Sequence, residues 1–145
     1  MIIFVLRHAD RQPAPDDDLT PAGQERAELL ARMLTGSGIS TAYHSGAVRA
    51  RRTLEPLKQK LGDALTVEAI GSGDVQRTVA AVKSRSIGDI IAVVGHSDTV
   101  GPIIEGLSGE SIGIIGPNEF DKLFVLFIDP TDKATLLRLR YGTAT

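Results

Sequence analysis

The chain has 145 residues, 42% of them hydrophobic and 23% charged, with a net charge of −2 and no cysteine. This size and balance suit one folded domain, expected over residues 1–145, that buries roughly 70% of its unfolded surface, and they exclude a disordered chain. They also exclude disulfides, thiolate catalysis, cysteine-based zinc sites and any general attraction to nucleic acid or anionic membrane, so an anion site has to be a local cluster.

The first element is the apolar run "IIFVL" at 2–6, which reads as a buried strand. It is too short for a signal sequence, no stretch approaches ~20 apolar residues, and the expectation is a soluble cytoplasmic protein. Thr20-Pro21 supplies a cap and a first-turn proline for a helix carrying Ala27, Leu30 and Leu34 on one face. A weaker strand near 41–44 follows. Ser45 is then the expected cap of a second helix, with Ala50, Leu54, Leu57 and Leu61 as its stripe.

After another weak strand near 66–70, Asp74 is positioned to cap a third helix with Val75, Val79 and Val82 inward. A strong strand at 90–94 leads through "GHSD" into a helix with Val100, Ile103, Ile104 and Leu107 at helical spacing. Runs at 123–128 and 135–140, joined by "DPTDKA", read as a hairpin. Alternating strands and helices predict a three-layer α/β/α sandwich with a mostly parallel central sheet and an antiparallel C-terminal edge. In such sheets a ligand sits beyond the carboxyl ends of the strands.

Three segments leave strands at that edge: "LRHAD" (6–10), "YHSGAVRARRT" (43–53) and "VVGHSD" (94–99). They hold all three histidines of the chain. A neutral imidazole at His8 is a competent nucleophile near neutral pH. The guanidinium of Arg7 matches phosphate oxygens, and Arg49 in the first turn of its helix adds its charge to the positive end of the helix dipole. With His96 at the end of another strand, the set provides the charge neutralisation and positioning that phosphoryl transfer needs. A metal site is the rival for a His/His/Asp group; Arg7 abutting His8 disfavours it, and no metal or other cofactor is expected.

These segments resemble the signatures of the histidine phosphatase superfamily, also called phosphoglycerate-mutase-like. "LRHAD" resembles its opening R-H-G/A motif, "LTPAGQERA" its LTxxGxxQA segment, "YHSGAVRARRT" its SSPxxRAxxT segment and "VVGHS" its late VxHG element, all in family order. The resemblance implies the phosphoglycerate-mutase-like fold, His8 as the phosphorylated nucleophile, and Arg7, Arg49 and His96 as the phosphate pocket. His44 stands where the family often has serine, and it either lines the rim or is a plain loop residue. Arg51 and Arg52 read as a solvated basic helix face.

The departures are informative. There is no Trp for the mutase branch's Trp-Asn pair, and the usual general acid position falls on Ser72. Asp74 and Asp10 are the remaining candidate acids, with helix capping an equal reading for Asp74. A short chain, a "GD" after the third strand and no obvious acid look most like the SixA-type phosphohistidine phosphatases, and a labile P–N bond needs less help from an enzymic acid while an open pocket admits a protein side chain. The implied partner is a phosphohistidine protein or a small phosphate ester, with inorganic phosphate as product and neither nucleic acid nor membrane involved. The alternatives are a small-molecule phosphomonoesterase and a phosphate-binding regulatory module that does not turn over.

Overall fold

A computed structural model describes residues 1–145. In chain order the elements are β1 (Ile2–Arg7), α1 (Pro21–Leu34), β2 (Thr41–His44), α2 (Val48–Leu61), β3 (Thr66–Ala69), α3 (Val75–Lys83), β4 (Ile90–Gly95), α4 (Val100–Ser108), β5 (Lys122–Ile128) and β6 (Ala134–Arg140). The six strands form one sheet in the order β3-β2-β4-β1-β5-β6. Strands β3, β2, β4 and β1 run parallel; β5 is antiparallel to β1 and β6 to β5. This is the expected mixed sheet, with its antiparallel edge at the C-terminus.

Each face of the sheet has its own core. Leu6 of β1, Val94 of β4 and Leu123 of β5 pack with Leu30 and Leu34 of α1 and Leu54 and Leu57 of α2. On the opposite face Ile3, Val5, Ile91 and Val93 pack with Val82 of α3 and Ile103 and Ile104 of α4. Alternate residues of β1 therefore serve two cores, which is why the run at 2–6 is apolar throughout rather than alternating. No helix is long and apolar enough to cross a membrane.

The helix starts carry the local logic. Thr20 accepts the Gly23 N–H at 3.1 Å, and Pro21 occupies the first turn where its missing N–H costs nothing. Gly23 admits no side chain, since a Cβ there would lie 2.0 Å from the Asp10 carbonyl oxygen. Asp74 caps α3 by accepting the Arg77 N–H at 3.0 Å. At α2 the expectation fails: the cap position is Ala47, two residues beyond Ser45, and it has no side-chain cap. The helix's free N–H at Val48 is instead met by the carboxylate of Asp17, 2.9 Å away from a distant loop.

The chain leaves β1 toward α1 on one face and leaves β4 toward α4 on the other. The neighbouring carboxyl ends of β1 and β4 are thus a topological switch point, where a crevice opens between diverging connections. His8 and His96 are the first residues past those two ends.

Candidate functional site

The floor of the crevice is Arg7 and His8, which are 7% and 2% exposed. The His8 Nδ1 faces the Ala9 carbonyl at 2.8 Å. A carbonyl can only accept, so Nδ1 carries the proton and Nε2 keeps its lone pair. Burial pushes the His8 imidazole down to about 3 against the opposing pull of the Ala9 bond, and the charges of Arg7, His96 and Arg49 add to the lowering. His8 is a neutral imidazole with a bare Nε2 at any ordinary pH.

Arg7 is gripped from one side. Its Nη1 donates to the Gly116, Pro117 and Glu119 carbonyls at 2.9–3.1 Å, and its guanidinium lies 4.1 Å from the Phe120 ring centroid. Burial, then the like charge of Arg49, holds it below its ordinary value.

The wall comes from the starts of α2 and α4. Arg49 Nη2 lies 3.2 Å from His96 Nδ1, and His96 Nε2 lies 2.6 Å from Ser45 Oγ. Arg49 has only donors, so Nδ1 must accept and Nε2 carries the hydrogen toward Ser45. Burial and then the Arg49 charge lower the His96 imidazole from its ordinary value, in keeping with this neutral tautomer. The His96 ring stands edge-on to His8, with centroids 5.2 Å apart. Arg49 Nη1 donates to Asp17. Burial works against the Asp17 charge, but the Arg49 and Val48 hydrogen bonds outweigh it and hold the carboxyl below the usual range.

One feature of this arrangement is chemically unfinished: Arg7 Nε and Arg49 Nε are both buried with no hydrogen-bond partner. Buried donors left unpaired are costly, and two cationic ones beside a bare imidazole nitrogen form a site for an anion.

The other candidates lie elsewhere. His44 is 8% exposed; its Nδ1 accepts the Gly46 N–H at 3.0 Å and its charged neighbour is Arg51, so it shapes the β2–α2 turn and makes no hydrogen bond to His8 or His96. Asp10 accepts from Arg26 Nε at 2.7 Å, and Arg26 also donates to the Tyr141 and Thr143 carbonyls. That carboxylate anchors the C-terminal segment and is not a free proton donor. Asp74 is the cap of α3, accepting the Arg77 N–H through Oδ1. Ser72 sits in a left-handed turn at φ 58°, and the adjacent Gly73 packs near His96, with a Cβ there 4.0 Å from His96 Cδ2. Arg51 is exposed with a loose 3.8 Å pairing to Glu55, while Arg52 bonds Asp18 and Glu55 and is more engaged than a solvated face.

Sequence reasoning missed Asp17, Thr53 and Phe120 and gave Ser45 the wrong task. Thr53 accepts the Ala9 N–H at 2.9 Å and donates to the Arg49 carbonyl at 2.8 Å, tying α2 to the His8 loop. The threonine that ends "RARRT" was the available signal. A surface groove of about 560 Å³ lies at the opposite end of the sheet, lined by Met1, Lys83, Arg85, Ile87, Gly106 and Leu107 among others. None of Arg7, His8, Arg49 and His96 lines it.

The sequence model of the histidine phosphatase superfamily (branch 1) matches residues 3–70, the stretch that contains Arg7, His8, Asp17, Ser45, Arg49 and Thr53. No curated protein sequence matches the chain. Among solved structures, the protein histidine phosphatase SixA complexed with tungstate is similar at 24% identity and TM-score 0.74, with 97% of each chain covered. The alpha-ribazole phosphatase from Shigella flexneri is similar at 18% identity and TM-score 0.71, with 100% of each chain covered. A mycobacterial glucosyl-3-phosphoglycerate phosphatase is similar at 12% identity and TM-score 0.68, with 99% of each covered. At these identities the likeness is one of fold: the phosphoglycerate-mutase-like sandwich, over its full length.

Proposed function

We propose that this chain, in the histidine phosphatase superfamily by its matched residues and its fold, is a phosphatase that works through a phosphohistidine on His8. The observation that carries this reading is the pair of unpartnered buried Nε donors of Arg7 and Arg49 beside the bare Nε2 of His8.

The chemistry follows from the geometry. With the phosphoryl oxygens on the two guanidiniums, His8 Nε2 attacks phosphorus and forms an N–P bond. The bond to the leaving group breaks, and its electron pair departs with that group. Water then attacks phospho-His8, the N–P electron pair returns to Nε2, and inorganic phosphate leaves with the water oxygen. The Nδ1–H bond to the Ala9 carbonyl holds the ring in the reactive tautomer and can strengthen as the ring gains positive charge. Neutral His96, its Nε2–H directed to Ser45 and its Nδ1 to Arg49, positions the arginine and adds no competing charge.

The favoured substrate is a protein phosphohistidine. Its support is that the usual acid position is Ser72, an alcohol, while Asp10 is paired with Arg26 and Asp74 caps α3. The likeness in fold to a protein histidine phosphatase is consistent with it. The guanidiniums supply the charge neutralisation, so metal independence is part of the proposal, and activity should survive a chelator.

Brief exposure to a phosphoryl donor should leave an acid-labile, base-stable phosphoryl group on the protein, absent from His8→Ala. Label persisting in that variant would overturn the assignment. Binding of phosphate without turnover or label would instead favour a regulatory module.

A further inference from the structure

We propose that the carboxylate of Asp17, at the outer edge of the pocket, selects substrates by the charge of their leaving group and favours N-phosphoryl compounds whose leaving nitrogen is protonated. This deepens the phosphatase reading and rests on it.

The argument starts from direction. His8 and Arg7 lie on the floor, 2% and 7% exposed, so in-line attack from His8 drives the leaving group outward past the rim. The rim is anionic. The Asp17 side chain is 35% exposed, receives the Val48 N–H at 2.9 Å and binds Arg49 Nη1. Asp98, exposed at the mouth of the β4–α4 turn, is close enough for its charge to act on both Arg7 and His96. Deeper in, the unpartnered donors of Arg7 and Arg49 mark where the phosphoryl oxygens go. The site is therefore cationic at its floor and acidic at its exit.

Such a gradient distinguishes two kinds of leaving group. When a phosphate ester is cleaved, the departing oxygen gains negative charge as the P–O pair moves onto it, and it does so facing carboxylates. A protonated phosphoramidate behaves differently. His8 Nε2 forms the new N–P bond, the old P–N bond breaks, and its electron pair stays on a nitrogen that already holds its proton. A neutral amine or imidazole departs, and no proton from the protein is required. An acidic exit repels the first transition state and not the second, and it also disfavours leaving groups that carry a carboxylate or a further phosphate.

The test compares kcat/KM for phosphoramidate and for p-nitrophenyl phosphate in the wild-type chain, Asp17→Asn and Asp63→Asn. Asparagine removes the charge and keeps one accepting oxygen, which can serve Val48 or Arg49 but not both, so the ratio of the two rates, rather than either rate alone, is the readout. A single charge acting through a half-exposed, partly solvated site changes a rate by roughly five-fold. Asp17→Asn should therefore lower the phosphoramidate-to-ester ratio by roughly five-fold, whatever it does to both rates through Arg49, with the change shrinking in high salt. Asp63, exposed beyond the far end of α2, should leave the ratio unmoved. Asp98→Asn should shift the ratio in the same direction even if Asp17→Asn folds poorly. An active Asp17→Asn protein with an unchanged ratio overturns the inference, as does an unchanged ratio in Asp98→Asn where Asp17→Asn does not fold. Wild-type protein that turns over neither compound and takes no label on His8 instead overturns the phosphatase reading beneath it.

Discussion

At His8 the same burial that keeps the nucleophile neutral also makes the fold sensitive to acid. The imidazole lies near 3 in the folded chain against an ordinary 6.5. Below the ordinary value the unfolded chain takes up a proton that the folded chain refuses, so stability falls as pH drops from about 6.5 toward 3. Between pH 6.5 and roughly pH 5 this one residue accounts for about 2 kcal/mol. Thermal melts across that range should show a fall in Tm that is shallower in His8→Ala, while acid activity loss should not track an ordinary histidine. Arg49 gives a second residue-scale prediction. Its guanidinium reaches Asp17 and His96 at once, a geometry that a lysine point charge cannot reproduce, so Arg49→Lys should lose about 3 kcal/mol of transition-state stabilisation, ~100-fold in kcat/KM. Arg51→Ala, on the outer face of α2, should be nearly silent in the same assay. His8, Arg7, Arg49 and His96 could be singled out from sequence because each sits at or next to the end of a strand or the start of a helix. Asp17 could not, because it meets Val48 and Arg49 across 31 and 32 positions, and one aspartate in "DDD" looks like the next.

Among the elements, the start of α1 is the most tightly constrained. The Cβ of an alanine at position 23 would fall 2.0 Å from a backbone oxygen, which cannot rotate away. Gly23→Ala should push α1 off the loop after His8 and cost about 1–3 kcal/mol or more by overpacking, measurable as a lower denaturant midpoint with a parallel fall in activity. Thr53→Val keeps the volume but leaves the Ala9 N–H without its partner, a loss of about 1–3 kcal/mol. Strands β1, β4 and β5 were the most legible because burial on both faces makes them apolar runs, whereas the edge strands β3 and β6 are largely exposed and gave weaker patterns. The starts of α1 and α3 were legible because their caps are local, from Thr20 and Asp74. The start of α2 was not, since its cap comes from another loop and Ser45 is taken by His96.

For the molecule as a whole, the tie between Asp10, Arg26 and the C-terminal carbonyls fastens the last residues to the loop that follows the nucleophile. The two side chains are only 15% and 3% exposed, so Arg26→Ala would strand a carboxylate and should cost about 3–5 kcal/mol, seen as a large drop in Tm. The order of the sheet has a further effect. Strand β1 is the first to be made, yet its neighbours are residues 90–95 and 122–128. At about 5–20 residues per second the ribosome takes roughly 4 to 18 seconds to supply the first neighbour, and until then "IIFVL" has no sheet to join. A nascent chain of this protein is therefore an inert, sticky intermediate for most of its synthesis, and a chaperone that shields its first strand should raise the yield of active protein more than one acting on the finished chain.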